Sequence, residues 1–232
     1  MYQRLDPARI IETLTRLKAR IDARFPNAGL GRVCAEVIDT AKRTSQRVAA
    51  LTAPSWGWRI AVGVLIVLGI VAQIAAARFL HIDRIEADAG LLQSLEAAVN
   101  LLILFGGAAW FLITWEERRK RQRVLDALHE LRSLAHVVDM HQLTKDPTNI
   151  LNINRTPASP ERTMTRFELT RYLDYCAEML ALLGKLAALY GESMRDGVVV
   201  DAVNDVEALT TDLARKIWQK IMIIGDLEER RD

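Results

Sequence analysis

Two long apolar runs without a single charge limit what this chain can fold into. Residues Ile60 to Ala77 read IAVGVLIVLGIVAQIAAA, 18 residues, and Ala97 to Trp115 read AAVNLLILFGGAAWFLITW, 19 residues. As helices at about 1.5 Å per residue, they cover roughly 27–29 Å, close to a hydrocarbon thickness of about 30 Å. Uncharged runs of this length are rare in soluble domains, so two membrane spans are expected rather than two buried core helices. The first run begins behind a long charged segment, which does not suit a cleavable signal peptide.

Flanking charge gives the expected topology. The connection 79–96 holds Arg84 against Asp83, Glu86, Asp88 and Glu96. Lys42, Arg43, Arg47 and Arg59 precede the first run, and Arg118, Arg119, Lys120, Arg121 and Arg123 follow the second. Basic flanks stay in the cytoplasm, so both termini are expected there. Trp56, Trp58 and Trp115 mark the same interface, where amphipathic rings favour the headgroup level. The antiparallel hairpin brings Gln73 and Asn100 to similar depth, where they could share a hydrogen bond. Gly69, Gly106 and Gly107 fall near the middle, where small residues let helix backbones approach.

The rest of the chain reads as amphipathic helix. Asp6 and Pro7 form a helix start, and Ile10, Leu14, Leu17 and Ile21 make one apolar stripe. The segment from Pro26 to Gly29 breaks it. A second stripe runs through Leu30, Val33, Val37 and Val48, with Cys34 and Ile38 beside it. No Gly or Pro occurs between Ala108 and Asp146, so one helix is expected from about residue 97 to about 141. Its later stripe is Val124, Leu128, Leu131, Ala135 and Val138. Residues 142–163 lack an apolar period and read as a loop. A helix then follows through Phe167, Leu173, Cys176, Leu180, Leu183 and Ala187, ending near Gly191. The last helix carries Val199, Val203, Val206, Leu209, Leu213 and Ile217, widened by Trp218 and Ile221 and closed by Gly225.

These faces must bury against one another, which predicts an all-α chain. The expected architecture is a two-helix transmembrane hairpin with a cytoplasmic antiparallel helical bundle, the second span continuing into the cytoplasm. The expected boundaries are an N-terminal helical hairpin over 1–54, a first span over 55–79, an external loop over 80–96, a second span over 97–115, and a helical region over 116–232 that packs with 1–54. An oligomeric coiled coil competes with the bundle, because the stripes are close to seven-residue periodic.

The chemistry-bearing residues are few. Half of the 232 residues are apolar, and the net charge of +2 speaks against disorder and against a general nucleic-acid binder. Two cysteines cannot form a disulfide scaffold; Cys34 and Cys176 sit on apolar faces and read as core thiols. His129, His136 and Asp139 are the candidate metal or catalytic set, although His129 and His136 are seven residues apart rather than the three or four that a helical metal pair uses. Arg123 and His129 have the spacing of a helical nuclease pair, without supporting neighbours. Lys145, Arg155, Arg162, Arg166 and Arg171 could meet a phosphate, and Asn154 begins a glycosylation sequon that a cytoplasmic location would leave idle. No cofactor motif is present. The basic cluster from Arg118 to Arg123 reads as the flank of a span or as an anionic-lipid site.

The functional expectation is a membrane-anchored helical interaction or scaffold module in a bacterial inner membrane, meeting the lipid bilayer and either a cytoplasmic protein partner or copies of itself. One alternative is an oligomeric channel or membrane-permeabilising effector lined in part by Gln73 and Asn100. Another is a membrane-tethered enzyme using the histidine-bearing helix.

Overall fold

A computed structural model describes residues 4–52, 56–80, 89–143, 145 and 164–229. Among them there are six helices and no strand. They are α1 (Pro7–Arg24), α2 (Gly29–Thr52), α3 (Trp56–Leu80), α4 (Ala89–Leu143), α5 (Arg166–Ser193) and α6 (Gly197–Glu229). The chain divides into two units, one of residues 1–52 and 123–232, the other of residues 53–122.

The larger unit is a helical bundle built by α1, α2, the C-terminal part of α4, α5 and α6. Its first helix starts where Asp6 accepts a hydrogen bond from the Ala8 N–H at 2.9 Å, with Pro7 next in the chain. It ends at a turn in which Asn27 takes the left-handed conformation, with φ at 62°, a geometry that asparagine tolerates better than most residues. Ile10, Leu14, Leu17 and Ile21 are the buried face of α1.

At the centre lies α5, with fifteen of its 28 residues buried. It packs against α6, α1 and α2, and α1 also packs on α2. A capping box opens it: Thr165 Oγ1 accepts from the Glu168 N–H at 3.2 Å, and Glu168 accepts from the Thr165 N–H at 2.7 Å. Leu173, Cys176, Leu180, Leu183 and Ala187 are buried as their spacing predicts. Phe167 is not. It is exposed, with the guanidinium of Arg24 4.9 Å from its ring centroid and that of Arg171 at 5.7 Å. The charges cover the ring in place of a core.

The C-terminal part of α4 adds Val124, Ala127, Leu128, Leu131, Ala135 and Val138 to the same core. In α2 the buried line runs through Cys34, Ala41 and Thr44, while Val33 and Val48 are only partly buried. The strand-like triplet Val198–Val200 is the first turn of α6. In α6, Val199, Val203, Val206, Leu213 and Ile217 are buried, and Ile221 partly. Trp218 departs from the expected stripe, being 54% exposed.

The smaller unit contains α3 and the N-terminal part of α4. One helix among the described residues, α4, is long and apolar enough to cross a membrane. Its apolar residues face outward: Leu102 is 67% exposed and Trp110 71%. The uncharged stretch described in α3, Ile60–Ala72, is shorter than a span. Within this unit a Cβ on Gly69 would lie 2.8 Å from the Phe105 ring, so α3 and α4 meet there only because residue 69 has no side chain. Gly106 and Gly107 have open space at the same position.

Candidate functional site

Three places in the bundle and one in the smaller unit carry polar or aromatic groups that the core does not require. The first joins α2, α4 and α5. Glu130 on α4 accepts from Arg43 Nη2 at 2.6 Å and from Arg47 Nη1 at 2.9 Å, one oxygen for each guanidinium. Arg43 also donates to Thr40 Oγ1 at 2.7 Å, and beneath it the Tyr190 hydroxyl donates to buried Thr44 at 3.3 Å. Burial pushes the Glu130 carboxyl up, but hydrogen bonds from Arg47 and Arg43 outweigh it and leave its pKa below the ordinary 4.5. Because the folded value lies below the unfolded one, the stabilisation is complete above the unfolded pKa and disappears as pH falls through the folded one. Glu130→Gln is therefore expected to cost about 1 kcal/mol at pH 7, a fall in melting temperature of about 2–4 °C. The difference from the wild type should shrink on acidification below about pH 4; thermal melts at the two pH values check it.

The second place is the C-terminal end of α4. Lys220 on α6 donates to the backbone oxygen of Gln142 at 3.3 Å and to its Oε1 at 2.6 Å, a cation on a terminal helix carbonyl. Gln142 Nε2 donates to Asp139 at 2.5 Å. His141 Nδ1 lies 3.5 Å from the Tyr172 hydroxyl, and Lys145 stands 5.4 Å from the Tyr172 ring centroid. His141 also fills the space where a Cβ on Gly29 would be, at 2.7 Å. Burial raises the Tyr172 hydroxyl above its usual range. It pushes the Cys176 thiol up to about 12 against the pull of Lys220 and Lys145, and the Cys34 thiol, also mainly by burial, up to about 12. Both are protonated near neutrality and are not activated nucleophiles.

The candidate metal set does not converge on this end. His129 and His136 are exposed on α4, and the Asp139 carboxylate is engaged by Gln142. No group of three metal-binding side chains occurs among the described residues. Of the basic residues beside the loop, Arg171 pairs with Asp174 at 3.2 Å and one nitrogen of Arg166 is buried without a hydrogen bond. Arg155, Arg162 and the Asn154 sequon lie outside the described residues.

The third place is a groove of about 540 Å³ between α5 and α6. Ala181, Gly184, Thr210 and Ala214 give it small walls, and Glu207, Lys185, Arg215 and Trp218 rim it. A Cβ on Gly184 would sit 2.9 Å from Thr210 Oγ1, so the two helices approach closely here. Trp218 lines this shallow, solvent-open side and stays outside the core. The apolar period alone could not distinguish it from Ile217.

In the smaller unit Trp115 lies against Phe111, with ring centroids 5.4 Å apart. Arg118 and Arg119 follow Trp115 by three and four residues, which puts them on the same side of α4 in the next turn. Lys120 pairs with Glu116 at 2.6 Å. Arg121 Nε is buried, and Arg118, Arg119 and Arg123 are exposed. Trp58 is half-buried on α3; the side chains of Trp56, Arg59 and Gln73 lie outside the described residues. Asn100 is exposed on α4. No family model matches the chain, and neither does any curated protein or solved structure.

Proposed function

We propose that the chain is a two-pass, membrane-anchored helical interaction module, with both termini in the cytoplasm of a bacterial cell and the bundle as the surface that meets protein. The observation that carries this reading is α4. The N-terminal part of this single helix exposes Leu102, Ile103, Leu104, Trp110 and Phe111, and its C-terminal part supplies core residues from Val124 to Val138. So large an apolar surface is costly in water and favourable in hydrocarbon. The aromatic residues Phe111 and Trp115 give way to Arg118 and Arg119 within one turn, the order in which a span passes from acyl chains to headgroups. The uncharged run of α3 supports a second pass, and the acidic connection between the runs supports an external loop.

Washing membranes that contain the full chain with alkaline carbonate tests the anchor. The protein is expected to stay in the pellet. Its release into the supernatant would overturn the reading.

A further inference from the structure

Where α4 leaves its apolar run, its charges are sorted by side. At about 100° per residue, Phe111, Arg118, Arg119 and Gln122 all fall within about 60° of Trp115, and no carboxylate shares that arc. All five side chains are exposed. The two acids of the same stretch lie elsewhere. Glu116 is about 100° away and pairs with Lys120 at 2.6 Å, and Glu117 is about 160° away, on the far side. Among the described residues neither Arg118 nor Arg119 makes an ion pair. An ordinary basic flank needs cations but no such sorting. We infer that this face of α4 binds the phosphodiester of an anionic phospholipid whose headgroup carries no amine. This rests on the reading of α4 as a membrane span.

Depth and chemistry both fit that ligand. Arg118 and Arg119 stand about 4.5–6 Å farther along the axis than Trp115, a step from the interfacial ring to the level of the lipid phosphate. The rings of Phe111 and Trp115, with centroids 5.4 Å apart, meet the carbons below it. Each guanidinium presents a planar fork of N–H donors that matches two phosphate oxygens, and this face brings two such forks to one side. The hydrocarbon beneath keeps water from part of the contact, which strengthens it over a fully solvated surface pair. A choline or ethanolamine headgroup would bring its own cation against the two guanidinium groups, whereas a glycerol headgroup brings none.

Native mass spectrometry of the full chain tests the site. The chain is released from detergent micelles holding equal amounts of phosphatidylglycerol and phosphatidylcholine with the same acyl chains. The wild type should retain phosphatidylglycerol about tenfold over phosphatidylcholine. Arg118→Gln combined with Arg119→Gln should bring the ratio close to one. Arg118→Lys with Arg119→Lys keeps the charge but loses the forks, and should lower the ratio about threefold. Arg132→Gln, which removes an exposed arginine of α4 within the bundle, should leave it unchanged. Inorganic phosphate in excess should not displace the lipid. A wild-type ratio near one, a lysine pair equal to the wild type, a loss at Arg132 as large as at the paired glutamines, or displacement by phosphate would each overturn the site. The carbonate wash judges the anchor separately. A chain that stays in the pellet without a lipid preference loses the site alone, whereas release from the pellet removes the span on which the site rests.

Discussion

Leu183→Ala is expected to destabilise the bundle by about 3 kcal/mol, lowering its melting temperature by about 6–12 °C. Leu183 is fully buried on α5, the helix that α1, α2 and α6 all pack against. Removing its isobutyl group loses the transfer free energy of the methyl and methylene carbons, and leaves a cavity that neighbours on several helices cannot close together. Leu143→Ala is the matched control. That leucine is exposed at the end of α4, so its truncation should shift the melt by less than about 2 °C. Equal shifts for the two substitutions, measured by circular dichroism in the same detergent, would mean that α5 is not the centre of the core.

Leu104→Arg should reduce membrane integration sharply. Residue 104 lies near the middle of the uncharged run of α4, and its side chain faces outward. An arginine at mid-bilayer costs about 2.5–3.5 kcal/mol on insertion scales, which corresponds to about a hundredfold in the partition equilibrium. Trp115→Arg is expected to have a small effect, because a long cationic side chain at the end of a span reaches the headgroups. The carbonate-resistant fraction, measured for each variant after expression in membranes, separates the two positions. An unchanged fraction for Leu104→Arg would show that this run does not sit in hydrocarbon.

The periodic positions of the fold were readable from the amino acids, because burial on one side leaves a repeat of three and four. Ile10, Leu14, Leu17 and Ile21 illustrate this, as do Val124, Leu128, Leu131, Ala135 and Val138. What periodicity cannot register is which neighbour stands opposite. Phe167 continues the stripe of α5 but meets two guanidinium groups instead of a core. Trp218 adjoins the stripe of α6 but lines a shallow groove of small residues rimmed by Lys185, Glu207 and Arg215. Conversely, Thr40, Thr44 and Thr210 are buried although a hydropathy reading places them outside. Thr40 and Thr44 are satisfied by Arg43 and Tyr190, and the Thr210 hydroxyl donates to the Glu207 backbone oxygen at 3.0 Å.

The capping box at Thr165 has a consequence for how the gene encoding this chain can vary. The start of α5 is fixed by a reciprocal exchange between Thr165 and Glu168 that is complete within four residues. The exchange anchors the phase of the central helix locally, and Leu169, Leu173, Cys176, Leu180 and Leu183 take their facing from it. The phase of α5 is thus set from Thr165 onward. A single codon inserted between Glu168 and Leu169 would rotate every later residue of α5 by about 100° and scramble its contacts with three neighbouring helices.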